Sequence, residues 1–153
     1  MPSFIVDGHI DLAWNALEFG RDPRLSAHQT RLAEENTSIP SYIGQCTTGF
    51  PDWVAGGFGL LFVTTFVMPS AQAYPGSRFV YRNPEEAAQL GLQVRRYYHT
   101  LVESDPALKL IQTQQDLADL EAERVAGKNT LGLLMLMEGA EPLRDPAELP
   151  EWY

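Results

Sequence analysis

The sequence predicts an α/β protein built on a parallel sheet. Two observations carry that reading: apolar runs of strand length recur along the chain, and strong helix-start signals stand between the later ones. Two architectures have this pattern. An open doubly wound sheet would carry a glycine-rich phosphate loop after a strand, whereas Gly56-Gly57-Phe58-Gly59 precedes one. A (β/α)8 barrel needs about 250 residues. On that reading this chain of 153 residues is a single incomplete domain, residues 1–153, holding the first strands and helices of a truncated barrel.

Taken in order, Phe4-Ile5-Val6 reads as a buried strand that runs into a loop, Asp7-Gly8-His9-Ile10-Asp11. Leu12 to Phe19 has helical character, with Gly20 and Pro23 as its stop. Arg24 to Thr48 is a polar excursion with one helical turn expected near Leu25 to Glu35, and Phe50 to Gly57 reads as a connector. Phe58 to Val67 is nearly continuous in apolarity, as a strand covered on both faces should be. Met68 to Arg82 reads as a second polar loop.

Asn83-Pro84-Glu85-Glu86 supplies an N-cap, a proline at the first helical position and acids in the first turn. Leu90, Val94, Tyr97, Tyr98 and Leu101 continue that helix as an apolar stripe, and Ser104-Asp105-Pro106 ends it. Leu108 to Ile111 reads as a short strand. Thr113 to Asp116 resembles a capping box and opens a helix to about Ala126, stopped by Gly127. Thr130 to Met137 is a third apolar strand with Glu138 at its end, and Pro142 to Tyr153 is a proline-rich, acidic tail.

Twenty acidic against eleven basic residues give a net charge of -9. That argues against nucleic acid or an anionic membrane as partner, since both need basic patches. No apolar run is long enough to span a bilayer, and the N-terminus lacks the features of a signal peptide, so a cytoplasmic location is expected. The lone Cys46 excludes an internal disulfide and a cysteine-rich zinc knuckle.

The chemistry gathers at strand ends. His9 and Asp11 lie two apart where the first strand stops, and in an extended chain both point to one side. The C-terminal ends of parallel strands are where ligands bind, so an imidazole and a carboxylate there can hold a divalent metal. The bland alternative is a buried, hydrogen-bonded His9 and an Asp11 that caps the following helix. Glu138 follows an uncharged run from Asn129 to Met137; it is either a third ligand or a glutamate that has reached solvent. Asp7 reads as structural. His28 and His99 end no strand and read as surface or boundary residues, and Trp14, Trp53 and Trp152 as packing residues. Cys46 has no obvious base nearby and is not proposed as a nucleophile.

Three stretches together resemble the membrane dipeptidase (renal dipeptidase, M19) family of amidohydrolase-type enzymes. They are Val6-Asp7-Gly8-His9-Ile10-Asp11-Leu12-Ala13-Trp14, then Gly56 to Phe62, then Leu136-Met137-Glu138-Gly139-Ala140-Glu141-Pro142-Leu143. The resemblance implies a two-zinc site in a (β/α)8 barrel, with His9 and Asp11 on one zinc and Glu138 as the bridging, catalytic carboxylate. It implies a metal-activated hydroxide that attacks the peptide bond of a dipeptide, with tolerance for D-residues on the carboxyl side. Family members often read Glu-Gly-Gly-His where this chain has Glu138-Gly139-Ala140-Glu141. The family's second zinc takes two later histidines, and no histidine follows Glu138 here. At most one zinc is therefore expected on this chain, no turnover by it alone, and association with other chains, including copies of itself, along an uncovered sheet edge. Two alternatives remain: another amidohydrolase-type metal hydrolase acting on a cyclic amide, and a non-catalytic truncated barrel that serves as a binding module.

Overall fold

Parallel strands buried on both faces must be apolar throughout, and the runs that meet this demand form the centre of the sheet. The computed structural model describes residues 4–152. Met1 to Ser3 and Tyr153, where the start of the signal-peptide reading and the end of the tail fall, lie outside the described residues. The main elements are β1 (Ile5–Ile10), α1 (Leu12–Phe19), α2 (Ala27–Glu34), α3 (Ile39–Ile43), α4 (Phe50–Ala55) and β2 (Phe58–Thr64). They continue through β3 (Met68–Pro69), β4 (Val80–Tyr81), α5 (Pro84–Ser104), β5 (Leu108–Leu110), α6 (Gln114–Val125) and β6 (Leu131–Leu136). Short 3-10 turns cover Ser70–Gln72 and Pro146–Glu151.

The main sheet has four parallel strands in the order β1-β2-β6-β5. β2 and β6 pair in unbroken register from Leu60↔Gly132 to Thr64↔Leu136, which brings their C-terminal ends level. One face of this pair sends Leu61, Val63 and Leu133 into the larger core, where Val94, Tyr98 and Leu101 of α5 meet them. The other face sends Leu60 into a smaller core with Ile111, just after β5, and Leu120 of α6. Gly132 makes that second contact close: a Cβ there would lie 2.5 Å from Leu120 Cδ2, so a larger residue would force the side chains of this core to shift.

The helix signals act as predicted where they are strongest. The Asn83 side chain accepts from Glu86 N, and Thr113 and Asp116 form a reciprocal capping box. Several expectations need correction. Phe50 to Gly57 is not a plain connector: Phe50–Ala55 is helix, opened by Pro51 near its start and Asp52 in its first turn. The polar excursion holds two helices, α2 and α3, and α2 has its own capping box between Ser26 and Gln29. The second strand stops at Thr64, short of Val67. The second polar loop contains the paired short strands β3 and β4. The first strand is longer than expected and reaches Ile10. It is also less buried: Ile5 and Val6 are 40% and 46% exposed, because β1 lies at the edge of the sheet and pairs on one side only.

Candidate metal centre

The centre is built where β1, β2 and β6 end side by side. The β1–β2 register slips between Asp7 and Ile10: those residues pair with Leu61 and Val63, so β1 spends one more residue than β2 over the same span. This is a bulge at Gly8-His9, and bulges re-aim side chains beside functional sites. The His9 N–H that the bulge sets apart is taken up by Asp7, whose Oδ1 accepts it at 3.1 Å. Asp7 is thus structural, as the sequence suggests. The alternation argument for His9 and Asp11 does not hold as stated, since the strand is irregular at His9 and ends at Ile10.

The geometry nonetheless brings the three residues singled out in the sequence together. One ligand atom from each of His9, Asp11 and Glu138 lies within 4.8 Å of the others. His9 Nε2 is 3.5 Å from Asp11 Oδ1 and 3.1 Å from Glu138 Oε2. The bland readings of His9 and Asp11 do not match the geometry. The His9 side chain is 51% exposed, so it is not a core histidine. Asp11 occupies the N-cap position of α1 but makes no side-chain cap bond. Glu138 is half-exposed, with its side chain 40% accessible, yet its Oε2 is buried 3.1 Å from His9 Nε2 and takes no hydrogen bond.

An unpartnered buried carboxylate oxygen is costly, and its effect shows in the acid–base behaviour of the site. Burial, then the negative charge of Asp11, push the Glu138 carboxyl above the ordinary glutamate range, while His9 opposes them and Glu141 adds to them. Gly139, next to Glu138, takes φ +74, and a Cβ there would lie 2.0 Å from Glu141 Oε2. A glycine therefore suits the left-handed turn directly after the third candidate ligand. The donor set fits a divalent metal: one imidazole and two carboxylates, open on one side, with one oxygen lacking any other partner.

Comparison with known families settles the lineage. The model of the membrane dipeptidase family (peptidase family M19) matches residues 2–153. The chain belongs to that family. Among solved structures, dipeptidase AC, a metallopeptidase of family M19, is similar with a TM-score of 0.63 at 21% identity. The match covers 99% of this chain and 40% of that one, so this M19 chain spans less than half the length of that dipeptidase. At this identity the likeness shows the fold, part of a (β/α)8 barrel. A search of curated proteins found no match.

Other sequence-predicted residues fall where expected. His28 is exposed and His99 half-buried, and neither joins the centre. Trp14 and Trp53 are buried; Trp14 meets Phe19 and Phe66 edge-on at 5.1 and 5.5 Å. Cys46 is buried and its Sγ donates to Thr48 O. It lines a cavity of about 90 Å³ with Ile10, Asn15, Arg21, Thr30 and Trp53, a hollow that includes none of the three candidate ligands. The centre itself lies on an open rim.

Two residues of the centre's surroundings are missed by sequence reasoning. Thr64, at the end of β2, donates its hydroxyl to Asp11 Oδ1 at 2.6 Å. Tyr98, fully buried on α5, donates its hydroxyl to Thr64 O at 2.8 Å and accepts from Ala13 N at 3.1 Å. The available signal is a hydroxyl among aliphatic residues in each case, since a buried hydroxyl has to find a partner.

Proposed function

We propose that this chain carries part of the metal centre of a zinc-dependent dipeptidase, with His9, Asp11 and Glu138 as protein ligands. The observation that supports this most is the buried, unpartnered Glu138 Oε2 facing His9 and Asp11. A divalent metal held there supplies Lewis-acid chemistry, lowering the pKa of water and polarising a carbonyl. The chain's own part is to present one imidazole nitrogen and two carboxylates on the rim where three strands end. Burial and the Asp11 charge push the Glu138 carboxyl up, a crowding of negative charge that a bound cation would relieve.

Membership of the membrane dipeptidase family makes a dipeptide the proposed substrate. No helix among the described residues is long and apolar enough to cross a membrane. The test is hydrolysis of a dipeptide panel and of a cyclic amide, with zinc present. It compares the 153-residue chain with the chain extended through the remaining barrel strands. No turnover by the shorter protein and chelator-sensitive dipeptide hydrolysis by the longer one are the expected results. Hydrolysis of the cyclic amide but not of dipeptides would replace this reading with the alternative hydrolase.

A further inference from the structure

Asp11 sits where an aspartate would ordinarily turn back and cap its own helix. An Asp at the N-cap accepts from the N–H of the second or third helical residue, and this is among the strongest local preferences known for the residue. Here the second residue of α1 is Ala13, and its N–H is already taken: it donates to Tyr98 OH at 3.1 Å, from a helix 85 positions away. Asp11 makes no cap bond to either position, and its Oδ1 accepts from Thr64 Oγ1 instead. The two substitutions are coupled, because the same Tyr98 hydroxyl donates to the carbonyl of Thr64. Thr64 and Tyr98 are 1% and 0% exposed, so both hydroxyl-bearing side chains are shielded from water.

We propose that Tyr98 caps α1 in place of Asp11 and that Thr64 then holds the released carboxylate toward the metal centre. Both are positioning residues: they act on the metal only through Asp11. The inference rests on the reading of His9, Asp11 and Glu138 as a metal centre, and it adds what keeps one of the ligands from its local alternative. Without the Tyr98 hydroxyl the Ala13 N–H loses its partner, and the acceptor that the N-cap position offers in its place is the Asp11 carboxylate. Without the Thr64 hydroxyl the carboxylate loses the bond that turns it away from the helix.

The experiment combines zinc titration with thermal melting in metal-free buffer. Zinc affinity is measured by calorimetry for the unmodified chain and for Thr64→Val, Thr64→Ser, Tyr98→Phe and His9→Ala. Partners of metal ligands typically change affinity about 10–100-fold, so Thr64→Val and Tyr98→Phe are expected to weaken binding by that factor. Thr64→Ser keeps the hydroxyl and is expected to stay within a few-fold of the unmodified chain. Thr64→Val and Tyr98→Phe binding as tightly as the unmodified chain, while His9→Ala loses zinc, would overturn the positioning role and leave the metal centre standing. The melts need no metal. In them Asp11→Ala is expected to lower Tm by about 2–4 °C more in the Tyr98→Phe background than in the unmodified chain, because only there does Asp11 serve as the cap. If the unmodified chain binds no zinc, the metal reading fails and the melts alone decide: the extra loss upholds the exchange of caps, and equal losses refute it.

Discussion

Glu18 is a buried glutamate and Glu138 a half-buried one with a buried oxygen, and their surroundings treat them in opposite ways. Glu18, on α1, is 8% exposed and accepts from Tyr74 OH and from the backbone N–H groups of Arg78 and Phe79. Burial alone would raise its pKa, but those bonds outweigh burial and hold the carboxyl below the ordinary 4.5. Glu138, after β6, has one oxygen with no partner, and its pKa is raised. A carboxylate that has all the donors it needs fastens a structure: Glu18 ties the loop before β4 to α1. A carboxylate left short of donors has room for a partner from outside the chain, the place that the proposed metal would take.

The sharpest way to break this contrast is to neutralise each carboxylate in turn. Glu138→Gln removes a proposed ligand, and because even partners of ligands cost about 10–100-fold, zinc affinity should fall by more than about 100-fold. Glu18→Gln should leave it unchanged. Calorimetric titration of both variants checks this, and equal losses would erase the distinction.

Stability should respond the other way round. Glu18→Gln disrupts a buried carboxylate that accepts several hydrogen bonds, so urea denaturation should show a loss of about 1–3 kcal/mol. Glu138→Gln removes a charge that the fold disfavours, and without metal it should be as stable as the unmodified chain at pH 7 or more so.

The pH dependence carries the same opposition with a smaller amplitude. The folded pKa of Glu18 lies below its unfolded value. Its contribution is therefore complete above about pH 4.5 and is lost as pH falls through the folded pKa. Glu138 has a raised folded pKa, so its ionisation weakens the fold as pH rises through that value. Melting curves between pH 3 and 7 should show the gap between the unmodified chain and Glu18→Gln closing in acid. The gap to Glu138→Gln should open only as pH rises. A gap for Glu18→Gln that widens in acid would contradict the clamp.

The sequence discloses the three candidate ligands better than what holds them. His9, Asp11 and Glu138 are legible because charged or metal-binding side chains stand at the ends of apolar runs, and the family motifs name the same positions. The strong helix signals at Asn83 and Thr113 are legible for a similar reason, since capping is local chemistry. The bulge at His9 is not, because it is a mismatch with β2, a partner more than forty residues on. Thr64 and Tyr98 are read as members of an apolar strand and an apolar stripe, which they are. Their hydroxyls matter only once β1, β2 and α5 meet. The helix α4 is passed over because it has only 6 residues, too few to show a periodic face, although its proline and aspartate mark the start.

The central claim is that His9, Asp11 and Glu138 hold one metal ion. The chain has 3 histidines, His9, His28 and His99, so their ring nitrogens can be followed individually by NMR while zinc is added. The account predicts that the His9 ring alone shifts, saturating at one zinc per chain, and that Glu138→Gln abolishes the shift at the same zinc concentration. A shift at His28 or His99 with His9 unmoved, or a His9 shift indifferent to Glu138→Gln, would contradict it.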